Sequence, residues 1–339
     1  MSQPLHLGIS TCPNDTFCFY GILADRVDRR GLDFRVELVD VEELNRRLFA
    51  GEFDVAKASF HAALMLAAEL GVLPVGSALG FGVGPLLLAA RAGTRPDDWP
   101  GRPADPPIAV RTEAAIASAP GTLSATATLS APATDSTTAT VSPPATDSSP
   151  AAASATSRPA RVLCPGAHTT ATLLYRLFYP GAGQVEQVVF SEIMPALEAG
   201  RADFGVCIHE GRFTYAERNL ALVEDLGTRW EQQTSAPLPL GGIVARHGLG
   251  RETHARLAAV IADSLDYALA HREETLPLLR RYAQELDDAV IWSHVDLYVN
   301  QWTRQLGSVG RHALDRLNAE ARRAGVLPAG LPPLTIVGE

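Results

Sequence analysis

The chain has 339 residues, 46% of them apolar and 20% charged, with a formal net charge of −9 at pH 7. This is a globular composition, long enough for one large domain or two lobes. The acidic balance argues against nucleic acid as the main partner, which would need a basic face. The lack of any eighteen-residue apolar run argues against insertion in a membrane.

LHLGIS (5–10) reads as a first strand, and nothing ahead of it has the basic and apolar regions of a secretory signal. The turn STCPNDTF (10–17) leads into a helix expected around 15–27. Small hydroxyl and amide residues there can cap the helix or present N–H groups to an anion, and capping by Asn14 or Asp15 is the plainer reading. FRVELVD (34–40) is a second strand, followed by a helix over VEELNRRLFAGE. DVAKAS (54–59) is a third, and its period-two alternation puts Lys57 and Ser59 on one face. Ser59 is placed to cap the helix beginning at Phe60 or His61. A lysine in so apolar a strand needs a partner or water, so Lys57 predicts either a salt bridge or a carboxylate ligand. HAALMLAAEL (61–70) predicts a helix ended by Gly71, VLPVGSAL (72–79) a fourth strand, and GVGPLLLAAR (82–91) a crossover. The β-α-β-α-β-α-β order predicts a parallel sheet covered by helices.

Between Glu113 and Arg158 the chain is a Ser/Thr/Ala/Pro tract whose only charges are Asp135 and Asp147, with ATDS at 133–136 and again at 145–148. Such a tract buries too little side chain to offset its ordering entropy, which predicts a disordered insertion over 93–159, tolerated at the surface. The α/β pattern then restarts. ARVLCPG (160–166) is a strand, HTTATLLYRLFYP a helix, EQVVFSE (186–192) a strand, IMPALEAGRA a helix and DFGVCIHE (203–210) a strand. PLPLGGIVARH (237–247) reads as a crossover back, and the remainder is helical by its apolar i, i+3, i+4, i+7 spacing. The predicted organisation is a first α/β lobe at 1–92, the insertion at 93–159 and a second α/β lobe at 160–238. Residues 239–339 then form a return crossover and C-terminal helices that complete the first lobe. Ligands of open α/β sheets bind at the carboxyl ends of the strands, which puts a cleft between the lobes.

Two further strand ends carry candidates. In PGAHTTA (165–171), Thr169 and Thr170 stand at a helix start with free N–H groups, an anion site or an ordinary threonine cap, and His168 reads as a turn residue. In GVCIHEGRFTY (205–215), His209 has the side chain best suited to move a proton at neutral pH, although a hydrogen-bonded structural histidine is the plainer reading. Glu210 would point the other way if the strand continued. Cys12, Cys18, Cys164 and Cys207 match no zinc spacing and read as reduced thiols, the last two as small hydrophobes in strands. No nucleophile elbow, phosphate loop or His-Glu-x-x-His occurs, and GFGVGP (80–85) precedes a strand rather than opening a helix.

Read together and in order, STCPNDTFCFYG (10–21), KAS with HAA (57–63), GSALGFGVGPLLL (76–88), PGAHTTATLL (165–174), IHEGRFTY (208–215) and HVDLYVNQWTRQLGSVGR (294–311) closely resemble the 1,4-dihydroxy-6-naphthoate synthase family of the futalosine route to menaquinone. The resemblance covers nearly the whole chain outside residues 93–159. It implies an α/β, two-lobed type II periplasmic-binding-protein-like fold with C-terminal helices on the first lobe. It also implies a cytoplasmic carbon–carbon lyase that uses no metal or organic cofactor. The implied substrate is a small-molecule carboxylate, cyclic dehypoxanthinylfutalosine, and the implied product is 1,4-dihydroxy-6-naphthoate. Carried over by motif, it implies His209 as proton acceptor and Lys57, Ala58, Ser59, Thr169 and Thr170 as substrate contacts, with Asn14 and Ser77 as further candidates for the cleft wall. Two alternatives stand beside it. One is chorismate dehydratase of the same pathway and fold, against which STCPNDTF and IHEGRFTY speak. The other is a non-catalytic solute-binding protein, against which the expected lack of a signal peptide and of a lipobox cysteine speaks.

Overall fold

The computed structural model describes residues 3–98, 158–209, 211–283 and 287–339; most of the expected insertion, and Glu210, lie outside the described residues. β1 (Leu5–Ser10) is buried over its last five residues. It pairs in parallel with β2 (Phe34–Val39), in register from Leu5↔Phe34 to Ser10↔Val39, and with β3 (Val55–Ser59). Helices α1 (Pro13–Cys18) and α2 (Tyr20–Leu23) fill the first crossover, and α3 (Val41–Phe49) fills the second. The helix expected at 15–27 therefore starts earlier, at a proline whose missing N–H costs nothing in a first turn, and breaks at Phe19. α3 is capped by Asp40, whose carboxylate accepts the Glu42 N–H.

Beyond β3 come α4 (Phe60–Met65), β4 (Leu70–Val72) and β5 (Ala78–Gly80). Gly71 lies inside a strand here, not at a helix end, because sheet pairing of Leu70–Val72 overrides the helical spacing of the preceding run. The expected fourth strand is split in two. Pro74 has no N–H for a ladder, and Gly76 takes a left-handed φ of 83° that a side chain would resist.

β6 (Leu86–Ala89) then leaves the first sheet. The second lobe follows with β7 (Arg161–Cys164), α5 (Thr170–Phe178), β8 (Gln184–Gln187), α6 (Phe190–Glu198), β9 (Phe204–Cys207), α7 (Gly211–Thr214), β10 (Ala221–Asp225) and α8 (Leu226–Thr234). Its strand order is β10-β6-β9-β7-β8, with β6 antiparallel to both neighbours. By sheet membership the second lobe thus begins at Leu86, inside the stretch assigned above to the first. The expected strand at 186–192 sits earlier, fixed by its register with β7 from Arg161↔Gln184 to Cys164↔Gln187, and Phe190 already opens α6.

β11 (Leu238–Arg246) returns to the first sheet, whose order is β2-β1-β3-β11-β4 with β5 also on β11. The C-terminal helices are α9 (Gly250–Ala270), α10 (Arg272–Tyr282), α11 (Asp288–Tyr298), α12 (Gln301–Arg304) and α13 (Gly307–Arg323). α9, α10 and α11 pack on α1 and α9 also on α2, and Phe17, Phe19 and Ile22 share one core with Leu257, Ile261, Leu279 and Ile291. Each such side chain stabilises the lobe by about 1.5–3 kcal/mol on full burial. The second lobe has its own core around Leu86, Leu88, Leu163, Ile193 and Leu197.

Where the chain passes from β5 to β6 between the sheets, Gly84 meets Gly227 of α8 backbone to backbone, and a Cβ on Gly84 would stand 2.2 Å from Gly227 Cα. Arg212 of α7 clamps this point, donating to the Gly84 carbonyl at 2.7 Å and to Asp225 at 2.6 Å. Among the described residues no helix is long and apolar enough to cross a membrane.

Candidate functional site

The carboxyl ends of β1 and β3, the residues just beyond β9 and the start of α5 surround one cleft of about 660 Å³, counted out to its mouth. The cleft brings together Asn14, Lys57, Ala58, Ser59, Thr169, Thr170 and His209. Ser77 does not join them. It is fully buried between β4 and β5, and its hydroxyl lies against Gly242 of β11.

At the end of β1, Ser10 Oγ accepts the Cys12 N–H at 3.2 Å and donates to Asp15 Oδ2 at 2.5 Å. The other carboxylate oxygen of Asp15 accepts from Lys57 Nζ at 2.6 Å and from Asn14 Nδ2 at 2.9 Å. Lys57 and Asp15 are 5% and 3% exposed. The salt-bridge reading of Lys57 is thus the arrangement present, and the Gly76 carbonyl takes a further contact at 3.3 Å. The capping reading of Asn14 and Asp15 fails. Cys12 is the N-cap of α1 and makes no side-chain cap, while both polar side chains turn inward. A buried ammonium left without a carboxylate costs about 3–5 kcal/mol, more than the roughly 1 kcal/mol of a missing cap.

Because the Asn14 amide gives its N–H to Asp15, its oxygen faces His294 of α11, 2.9 Å from Nε2. His294 is 2% exposed, and its Nδ1 is buried with no partner among the described residues. Burial, aided by the neighbouring His209 and Lys57, holds this imidazole well below its ordinary pKa and so neutral.

At the end of β3, Ser59 stands at the N-cap of α4 without capping it. Asn45 competes successfully. Its Nδ2 donates to Ser59 Oγ at 3.1 Å, and its Oδ1 accepts the Ser59 N–H at 3.0 Å. The Ser59 hydroxyl proton is left for the cleft.

At the start of α5, Thr169 does cap: its Oγ1 accepts the Thr172 N–H at 3.2 Å and donates to the Gly166 carbonyl at 2.9 Å. Thr170 Oγ1 donates to the Leu240 carbonyl at 2.7 Å. Both hydroxyl protons are used, so the donors facing a ligand are the backbone N–H groups of Thr170 and Ala171, which helix geometry leaves without intrahelical acceptors. Leu240 belongs to β11 of the first sheet, and two further contacts tie this segment to the first lobe. Glu42 of α3 accepts the Ala167 N–H at 3.1 Å, and His61 of α4 donates its Nδ1–H to the Thr169 carbonyl at 3.3 Å. Burial raises the Glu42 carboxyl above its usual range and pushes His61 down to about 4. His168 is a turn residue as expected, with its ring centroid 4.3 Å from that of Phe49.

His209 lies just beyond β9, which stops at Cys207 and not at residue 210. The orientation expected of Glu210 lies outside the described residues. His209 has φ 55°, the left-handed region that costs a residue with a Cβ of order 1–3 kcal/mol and recurs at functional sites. That turn carries the ring across the cleft. Nδ1 is 3.4 Å from Cys12 Sγ, the Phe190 ring meets it edge-on at 4.8 Å, and the His294 ring stacks at 5.9 Å. Sequence reasoning missed Ser10, Cys12, Asp15, Asn45 and His294 as parts of this wall. STCPNDTF signalled some of them, as an unusually polar run at a strand end, but His294 lies 280 residues from Asn14 with no spacing to betray it.

A profile of the menaquinone biosynthesis family matches residues 5–118 and 132–323. The chain is 35% identical to the 1,4-dihydroxy-6-naphtoate synthase of Thermus thermophilus, over 98% of this chain and 100% of that one. It is 32% identical to the protein of the same name from Streptomyces coelicolor, over 97% of this chain and 96% of that one. Among solved structures, protein AF1704 from Archaeoglobus fulgidus is similar with a TM-score of 0.73 and 24% identity, over 96% of this chain and 98% of that one. The alkanesulfonate-binding protein SsuA from Xanthomonas axonopodis pv. citri is similar with a TM-score of 0.61 and 11% identity, over 98% of each chain. The fold is that of the periplasmic binding proteins.

Proposed function

This chain belongs to the menaquinone biosynthesis family, and on that premise we propose that it is a 1,4-dihydroxy-6-naphthoate synthase, a carbon–carbon lyase acting on cyclic dehypoxanthinylfutalosine with His209 as general base. The observation that carries this reading is the left-handed turn at His209, which delivers an imidazole from the second lobe to the polar wall of the first. The substrate's aromatic carboxylate would bind the N–H groups at the start of α5, where the helix dipole favours an anion, together with the Ser59 hydroxyl. Lys57 contributes differently from the charge partner expected above. Asp15 already neutralises it, so it offers a ligand oxygen one of its three N–H donors and little net charge.

In the proposed step His209 removes the proton of a hydroxyl on the sugar-derived ring. The oxygen's electron pair forms a carbonyl, the adjacent C–C bond breaks, and its electrons pass into the ring system that becomes the naphthoate. Aromatisation drives the step, so the protein supplies one base and a closed, positioned cleft. The test is to incubate the protein with cyclic dehypoxanthinylfutalosine and follow naphthoate by absorbance and mass. His209→Ala should lower turnover by at least about 100-fold while keeping substrate affinity within a few-fold. Near-normal turnover by the variant would remove His209 from the role, and conversion of chorismate instead of this substrate would reassign the reaction.

A further inference from the structure

The step above makes no use of His294, yet the wall is built around it. Lys57 and Ser10 fix Asp15, Asp15 fixes the Asn14 amide, and the Asn14 oxygen accepts from His294 Nε2. Each link settles the next. A carboxylate can only accept, so Asn14 must turn its N–H to Asp15 and its oxygen to the histidine. Nε2 must then carry the imidazole proton, and in a neutral ring Nδ1 is left as a bare lone pair. That nitrogen is buried without a partner among the described residues, on a ring that lines the cleft and stacks 5.9 Å from His209. A buried acceptor left unmatched is costly, and the network holds it in that state instead of relieving it.

We propose that His294 Nδ1 is the acceptor for a hydroxyl group of the bound ligand, making His294 a specificity-determining residue that holds a hydroxyl-bearing ring beside His209. The inference rests on the reading of this cleft as the substrate site. The atom's chemistry restricts the ligand group. A carboxylate has no proton to give, and an ammonium would meet Lys57. A neutral O–H fits, and a sugar-derived ring supplies it. The carboxylate end is thereby directed to α5 and the hydroxylated end to α11, which sets one orientation in the cleft.

The test uses His209→Ala protein, which binds without turning over, with and without His294→Phe. Calorimetry compares cyclic dehypoxanthinylfutalosine with analogues that each lack one hydroxyl. With His294 present, one analogue should bind about tenfold more weakly than the parent. With His294→Phe, parent and analogue should bind alike, and His294→Gln, which keeps an acceptor, should restore part of the difference. Equal weakening of every ligand by His294→Phe, or discrimination that survives it, overturns the proposal while leaving the proposed function standing. Failure of the His294-containing protein to bind any of these ligands overturns both. A second measurement needs no variant at the site. Nitrogen-15 NMR of labelled histidines should show His294 as the Nε2-protonated neutral tautomer from pH 5 to 8. An Nδ1-protonated or imidazolium signal would refute the acceptor role.

Discussion

Replacing Asp15 by Asn should destabilise the protein by about 4 kcal/mol. Asp15 accepts three bonds, from Lys57 at 2.6 Å, Asn14 at 2.9 Å and Ser10 at 2.5 Å, in a wall where it and Lys57 are almost fully buried. Removing one partner of a buried ion pair costs about 3–5 kcal/mol, because the other charge stays desolvated. An amide oxygen can still accept from Lys57 and Asn14, but its NH2 must reverse the Ser10 bond and all three lose charge assistance, worth about 1 kcal/mol. The Gly76 carbonyl still faces the ammonium and keeps the ion-pair loss near the low end of its range. The sum is a large part of a typical 5–15 kcal/mol domain stability. Denaturant unfolding reads it as a lower midpoint at unchanged slope. Adding Lys57→Met to Asp15→Asn removes the stranded charge and should recover most of the loss, although not the activity. A cost below about 1 kcal/mol for Asp15→Asn, or a double variant no more stable than the single one, would refute the reasoning.

Two further outcomes follow from particular groups. His61 is pushed down to about 4 by burial, against about 6.5 in an unfolded chain. Between those values the unfolded chain binds a proton that the native one does not, so stability is lost as the pH falls from about 6.5 to 4. The full effect is on the order of 3 kcal/mol, read as the difference in pH dependence of unfolding between wild type and His61→Gln, and parallel curves would contradict it. Gly84→Ala places a methyl group 2.2 Å from the Gly227 backbone. It should cost more than about 2 kcal/mol in thermal or denaturant unfolding, and a variant as stable as wild type would mean that Gly84 and the first turn of α8 do not meet so closely.

The alternation of apolar strands with helices of 3.6 spacing, twice over, is a local property, and it was legible in the sequence as two α/β lobes with C-terminal helices. So were the Thr169 cap on α5 and the placing of candidates at strand ends, since both depend on neighbours a few residues apart. Local pattern misplaced the strand at 186–192 and the helix end at Gly71, because pairing with β7 and with β11 decided those boundaries. The chemistry of the cleft was decided almost entirely by tertiary structure. Lys57 finds Asp15 across 42 residues, His209 finds Cys12 across 197, and His294 finds Asn14 across 280. A lone polar residue at a strand end shows that a partner is needed. Which one it takes depends on how the strand ends and α11 converge in space, and no period along the chain records that.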